Sequence, residues 1–258
     1  MRFSDESLAR RLEAVGDRFM LEWLAGTGAE LRRFGAAVAA VDPSRPELDF
    51  VNRVYGLWPE HAEHVGEVAA YYRERGVRAW FELAPAARFE TLAGALTAVE
   101  AAQIGFHAVL HGPTARTPVK DVHVEQPDDL ELFADVLLRG HGVPEGARTR
   151  DRASVTRWAE IEGWRLYLAR LDGAPAGAAL LSIDDELGYL ANASTLPEFR
   201  RQGVQSALIA ARIADAAAAG CDVICSQAEF GSASQRNLER AGLRVAYTKA
   251  VWRLANQG

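Results

Sequence analysis

Residues 200–203, Arg-Arg-Gln-Gly, open an alanine- and leucine-rich stretch that runs to Gly220. A helix start leaves its first backbone N–H groups without partners and carries a partial positive charge. Most helices answer with a hydroxyl or acidic residue at that end. Here the entry adds two arginines, and the next acidic residue is Asp215, several turns on. Gly203 has no Cβ to hold a phosphate away from the backbone. The chemistry on offer is the binding of an anion, above all a phosphate, by main-chain N–H groups. Taken alone, the segment is equally compatible with a solvated turn that contains two arginines. Gln205 stands where a second small residue would be expected. Inside a regular helix no positive φ is required, so glutamine supplies the same N–H, and its amide leans back towards the helix start.

Other constellations carry less. His61 and His64 in "EHAEH" are one helical turn apart, a spacing compatible with a metal ion, but no third ligand is near and no metal site is expected. His107 and His111 alternate on a strand, where they either line a cleft or pack. No Ser/His/Asp pattern suggests a covalent nucleophile. The 258 residues carry a net charge of −6, which argues against nucleic acid as a partner. No apolar run reaches the roughly 18 residues of a membrane span, and the N-terminus is charged from its fourth residue, unlike a secretory signal. Cys221 and Cys225 read as buried free thiols on one strand face, consistent with a reducing cytoplasm.

These groups must be positioned by alternating strands and helices. The first half predicts a helix over 5–25, strands over 31–42 and 48–57, and a helix from Pro59 to Arg75. A strand at 77–83, a helix over 87–103 and a strand at 106–112 follow. "GPTARTP" (112–118) reads as a linker, which divides the chain into domains 1–117 and 118–258. The second half predicts a strand at 122–127 and helices near 127–139 and 149–162. A hairpin at 164–184 turns on "DGAP", and strand 187–196 precedes a helix over 203–219. Strand 222–230, helix 232–241 and a last strand to 254 complete it. Asn52 and Asn192, Gly76 and Gly220, and Gly105 and Gly242 lie 137 to 144 residues apart, which suggests a duplicated unit.

"TLPEFRRQGVQSALI" and "SASQRNLERAGLRVAYTKAVWRL" follow each other in this setting, and over residues 120–258 the chain resembles the GNAT superfamily of acyl-CoA-dependent N-acyltransferases. More particularly it resembles a bacterial subgroup with a degenerate GNAT-like N-terminal half. "LWPEHAEH" stands there in place of a phosphate loop. The resemblance implies an α/β (α+β) fold of tandem GNAT-like units, each a mixed, mostly antiparallel sheet flanked by helices, with a splayed pair of strands holding the cofactor. It also implies that acetyl-CoA or another acyl-CoA is the co-substrate. Ser194, Thr195 and Leu196 would lie along the pantetheine. Arg201, Gln202, Gly203, Val204, Gln205 and Ser206 would hold the pyrophosphate, and Asn237 would touch the pantetheine.

Acyl transfer to an amine needs a neutral amine, an oxyanion stabiliser and a proton for the departing thiolate. Many family members carry a tyrosine four residues before the final glycine of the asparagine-bearing helix; here that residue is Leu238. Ser234, one turn earlier, is the substitute acid considered first, with Tyr247 and Tyr189 behind it. Glu229 is the candidate base, against a solvated strand-end carboxylate, and Asn192 the candidate to orient an amine or a water. The expected reaction is acetyl transfer to a primary amine of a small molecule, by a cytoplasmic monomer or homodimer. A non-catalytic acyl-CoA sensor, or an enzyme acting on a protein N-terminus or lysine, are the alternatives.

Overall fold

The computed structural model describes residues 6–114 and 122–255. Residues 115–121, which hold most of the expected linker and the boundary expected at 117/118, lie outside the described residues. The chain forms two compact units. One comprises residues 1–109, 228–230 and 246–258, the other 110–227 and 231–245.

In the first unit, α1 (Glu6–Ala25) buries Ala9, Leu12, Val15, Phe19 and Leu24, the apolar stripe its spacing predicts. The segment expected to be one strand over 31–42 is a hairpin, β1 (Glu30–Phe34) and β2 (Ala37–Val41), paired from Phe34↔Ala37. Gly35, at φ 60°, makes the two-residue turn, and all five residues of β2 are buried. Of the strand expected at 48–57, only Arg53–Tyr55 is extended, as β3. Its forerunner is held in turns by Asn52. The Asn52 amide nitrogen donates to the carbonyls of Arg45 and Leu48, and its oxygen accepts from the Asp42 N–H. A 3-10 turn, Pro59–His64, leads into α2 (Val65–Arg73), and β4 (Trp80–Leu83) returns parallel to β3. The helix expected to reach residue 103 ends early: α3 spans Phe89–Ala98, Glu100 turns at φ 63°, and β5 (Ala101–Pro113) follows. Gly112 and Pro113 thus close a strand rather than open a linker.

The second unit begins with β6 (His123–Glu125), α4 (Leu130–Gly140) and α5 (Glu145–Thr156). Asp129 caps α4 by accepting from the Leu132 N–H. The hairpin β7 (Trp164–Leu171) and β8 (Ala174–Asp184) turns on Asp172 and Gly173, both at positive φ. Then come β9 (Leu187–Thr195), α6 (Val204–Ala218), β10 (Val223–Glu229), α7 (Ala233–Arg240) and β11 (Arg244–Leu254). Strand order is β1-β2-β3-β4-β11-β5 in the first unit and β10-β9-β8-β7-β6 in the second. Residues 250–253 of β11 run antiparallel to β4, so the last strand completes the first unit, not the second.

Each unit therefore contains a parallel strand–helix–strand core, β3–α2–β4 and β9–α6–β10, within a mostly antiparallel sheet. Gly76 and Gly220 follow the equivalent helices. The other two landmark pairs are not equivalent. Gly242 follows α7 while Gly105 lies inside β5, its counterpart turn being made by Glu100. Asn52 precedes β3, whereas Asn192 lies within β9. Among the described residues, no helix is long and apolar enough to cross a membrane.

Candidate acyl-CoA site

Strands β9 and β10 pair only at Leu187↔Val223, Gly188↔Ile224 and Tyr189↔Cys225. At the next step the Ser226 hydroxyl donates to the Leu190 carbonyl at 2.8 Å, a side-chain bond where the ladder stops. From there β9 runs on to Thr195 without a β10 partner in its register, so the pair is splayed, as expected. β9 is also irregular against β8. The register shifts between Ala178 and Leu180, opposite a stretch in which Asn192 adopts φ 41°. This is a β-bulge, which disrupts the ladder locally and re-aims peptide groups.

Beyond β9 the chain is tied back by the Leu196 N–H, which donates to Ala176 O at 2.9 Å. A 3-10 turn, Pro197–Phe199, follows, and the Gln202 amide donates to Glu198 O. Arg201 at φ 64° and Gly203 at φ 84° turn the chain into α6. The first helical bond runs from Ala207 N to Gly203 O, which leaves the N–H groups of Val204, Gln205 and Ser206 at the helix mouth. No side chain caps this end and no acidic residue lies in its first turn. Arg200, Arg201, Gln202 and Gly203 are exposed. At Gly203 the demand is conformational: a Cβ would find only Val122 Cγ2, at 3.9 Å, but L-residues are strained at this φ. An uncapped, acid-free helix start flanked by arginines fits a pyrophosphate.

The neighbouring side chains differ in what they offer. Ser194 is buried, and its hydroxyl donates to Leu137 O at 3.0 Å at the end of α4, so it presents only its backbone to a ligand. Gly140 of α4 makes this close approach possible, since a Cβ there would lie 2.4 Å from Ser194 Oγ. Thr195 is half-buried, with its hydroxyl 3.5 Å from Gln205 Oε1. Leu196 is buried. The Thr195–Gln205 contact thus links the end of β9 to the first turn of α6.

The predicted chemical groups lie on other elements. Asn192 is half-buried in the bulge. Glu229 is the exposed last residue of β10 and falls within the first compact unit. On α7, Ser232 rather than Ser234 caps the helix, accepting from the Gln235 N–H, and Ser234 is exposed. Asn237 is half-buried with its carbonyl oxygen accepting from Arg240. Leu238 is buried in the core. Tyr247 is engaged elsewhere, donating to Glu13 at 2.8 Å in the first unit.

Two features escaped sequence reading. Arg212, on α6, is 1% exposed, and its guanidinium donates to the carbonyls of Leu208, Leu180 and Ala191. A signal existed: Leu208, Arg212 and Ala216 follow one another at helical spacing on the buried stripe, where a cation is out of place. In the first unit, Lys249 bridges Glu13 at 3.1 Å and Glu82 at 2.7 Å, while Arg53 and His107 also bind Glu82. Burial would raise the Glu82 carboxyl, but the charges of Arg53 and Lys249 overcome it and hold it well below the usual range. Asp17, in the same pocket, is pushed up to about 7 by burial and by Glu13, and its carboxylate accepts from the Gly56 N–H. Arg10 pairs with Glu60 and stacks over Trp58 at 4.1 Å. Side chains of α1 thus occupy the turn that in the first unit corresponds to the α6 mouth. Among the described residues, no group of three or more His, Cys, Asp or Glu is placed to hold a metal ion.

Residues 114–228 match the family model described as an acetyltransferase (GNAT) domain. No curated protein is similar enough in sequence to count as a relative. Among solved structures the fold is similar to a GCN5-related N-acetyltransferase from Kribbella flavida, with TM-score 0.61 and 16% identity over 94% of this chain and 95% of that one. It is similar to another from Sphaerobacter thermophilus, with TM-score 0.62 and 15% identity over 84% and 76% of the two chains. A tandem GNAT protein of the clavulanic acid biosynthesis pathway aligns with TM-score 0.57 and 13% identity over 80% and 75%. Identities this low establish the shared fold. The likeness to the acetyltransferase (GNAT) domain therefore rests on residues 114–228, a little under half of the chain.

Proposed function

We propose that the chain is an acyltransferase that moves the acetyl group of acetyl-CoA, or another acyl group from its acyl-CoA, to a primary amine of a small molecule by direct attack on the thioester. The observation that carries this reading is the mouth of α6, uncapped and acid-free beside the splayed end of β9. In this reading the N–H groups of Val204, Gln205 and Ser206 bind the pyrophosphate, with Arg201, Gln202 and Gly203 shaping the turn. The backbone of Ser194–Leu196 lies along the pantetheine, and Asn237 contacts it from α7.

The amine nitrogen attacks the thioester carbon, loses a proton, and the C–S bond breaks as the thiolate gains one. Glu229 is assigned the amine's proton, Asn192 the orientation of the amine or a water, and Ser234 the proton for the thiolate. The filled turn of the first unit supports a scaffold role for that unit, because Asp17 takes the Gly56 N–H that a phosphate would use, and Arg10 is held by the Glu60 carboxylate over Trp58. The enzyme acts as a monomer or homodimer in the cytoplasm.

Calorimetric titration with CoA, followed by thiol release from acetyl-CoA across a panel of small amines, tests the reading. Micromolar binding with amine-dependent release is expected; absence of CoA binding overturns it. Burial of Leu238 at the position of the family's tyrosine favours a second reading, an acyl-CoA sensor. Tight binding with no release from any amine would decide for it.

A further inference from the structure

Arg212 is a buried cation with an unusual set of partners. Its three hydrogen bonds go to backbone carbonyls: Nε to Leu208 at 2.9 Å, and Nη1 to Leu180 at 2.9 Å and Ala191 at 3.2 Å. Among the described residues, no carboxylate lies within ion-pair distance of it. The nearest acidic side chain on the same helix face, Asp215, accepts from the Tyr167 hydroxyl instead. Burial pushes the guanidinium down to about 10, so it remains charged at neutral pH. A fully buried charge is costly to keep when an apolar residue would fill the same space. Its retention calls for a local reason.

That reason lies in which carbonyls it holds. Leu180 and Ala191 are the cross-strand pair beside the β9 bulge, and Asn192 at φ 41° is the next residue. In a trans peptide the C=O and N–H point in opposite directions. With the Ala191 oxygen drawn to the guanidinium beneath the sheet, the Asn192 N–H is directed away from it. This occurs two residues past the last β9–β10 register pair, Tyr189↔Cys225, where the splay has begun. A positive charge on the carbonyl side also polarises the peptide and strengthens its N–H as a donor.

We propose that Arg212 is a positioning residue: it anchors the bulge from the core so that the Asn192 N–H is preoriented towards the carbonyl oxygen of a bound acyl thioester, where negative charge builds during attack. Arg212 touches no substrate and exchanges no proton; it acts through the Ala191–Asn192 peptide. The proposal rests on the acyl-CoA reading above for its substrate, but the anchoring of the bulge concerns this chain alone.

Arg212→Met removes the charge and the three donors while keeping an apolar stem. Arg212→Lys keeps the charge but gathers its donors on a single nitrogen, which cannot reproduce the separate Nε and Nη1 bonds. Removing a preorganised oxyanion donor typically costs about 100- to 1000-fold in kcat. We expect kcat to fall about 100-fold in Arg212→Met, with partial recovery in Arg212→Lys. The Kd for CoA should stay within about threefold, because the α6 mouth is two turns away. The backbone amide resonance of Asn192 should shift in the ligand-free Arg212→Met protein. In the wild type it should move further with acetyl-CoA than with CoA alone. A folded Arg212→Met protein that keeps kcat within about threefold, or an Asn192 resonance that is the same in both proteins, overturns the proposal and leaves the acyltransferase reading standing. If the wild type releases no thiol, that reading has failed instead, and the ligand-free Asn192 comparison alone decides whether Arg212 sets the bulge. Should Arg212→Met not fold, Arg212→Lys and the wild-type difference between acetyl-CoA and CoA decide it in the same way.

Discussion

Replacing Gly203 with aspartate separates the stability of the fold from the binding of CoA. At φ 84°, a residue with a Cβ is strained by about 1–2 kcal/mol, and aspartate, which tolerates this region better than most, falls at the low end. Packing adds nothing, since only Val122 Cγ2, at 3.9 Å, is near. An acidic group at a helix start contributes about 0.3–1 kcal/mol through the dipole. The net effect on folding is therefore within about 1 kcal/mol, a Tm shift of a few degrees at most. Binding responds on another scale. A carboxylate about 4 Å from one phosphate charge costs about 4 kcal/mol at an effective dielectric near 20, and salt reduces this. Even half of it corresponds to about a 30-fold rise in Kd. Calorimetry at two salt concentrations should show that rise, larger at low salt, in a protein with near-normal Tm. Gly203→Ala, with the strain and no charge, should bind less weakly than Gly203→Asp, and Gln205→Gly should change Kd by less than about threefold. A folded Gly203→Asp protein that binds CoA as well as the wild type refutes the assignment of this loop.

Gly140→Ala places a Cβ 2.4 Å from Ser194 Oγ and 3.2 Å from the Thr195 nitrogen, which should destabilise the protein by about 1–3 kcal/mol in urea unfolding. Ser194→Ala should lose only about 1 kcal/mol of stability, with CoA affinity unchanged, because the hydroxyl serves α4 and not the ligand. Asp17 gives a pH signature. Its carboxyl rises from an ordinary 3.8 to about 7 in the folded chain, so between those values the folded state holds a proton that the unfolded state has lost. Stability from this group therefore falls as pH rises from about 4 to 7, by a few kcal/mol at most, and levels off above. Glu82 has the opposite sign, its contribution being lost below the ordinary carboxylate range. The difference between wild type and Asp17→Asn in urea midpoints across pH 4 to 8 should isolate the Asp17 slope; a pH-independent difference would disprove it.

Much of the second unit was legible because its signals are local. The apolar periodicity of α6, the Asp-Gly turn of the β7–β8 hairpin and the arginine-rich helix entry are each determined within a few residues. The first unit hid more. A continuous apolar run over 31–42 conceals the turn at Gly35, because a fully buried strand and a hairpin of buried strands have the same composition. Residues 48–52 look extended, but the Asn52 side chain satisfies three backbone groups and holds them in turns. Glu100, not a glycine, makes the turn after α3, so Gly105 was a misleading landmark. Arg212 and the Lys249 cluster depend on tertiary partners far apart in sequence, Lys249 reaching Glu13 across 236 positions, and no window of sequence contains both.

The placement of β11 has a consequence for biosynthesis. The first unit includes residues 246–254, and β4 takes 250–253 as its antiparallel neighbour. A ribosome delivers residues 1–109 long before those arrive, so the early product must wait with the β4 edge bare and the carboxylates of Glu13 and Glu82 lacking Lys249. The second unit has no such debt to a distant segment beyond its own 231–245. The order of emergence and the order of completion are therefore reversed, and a nascent chain stalled before residue 246 should bind chaperones through its N-terminal part.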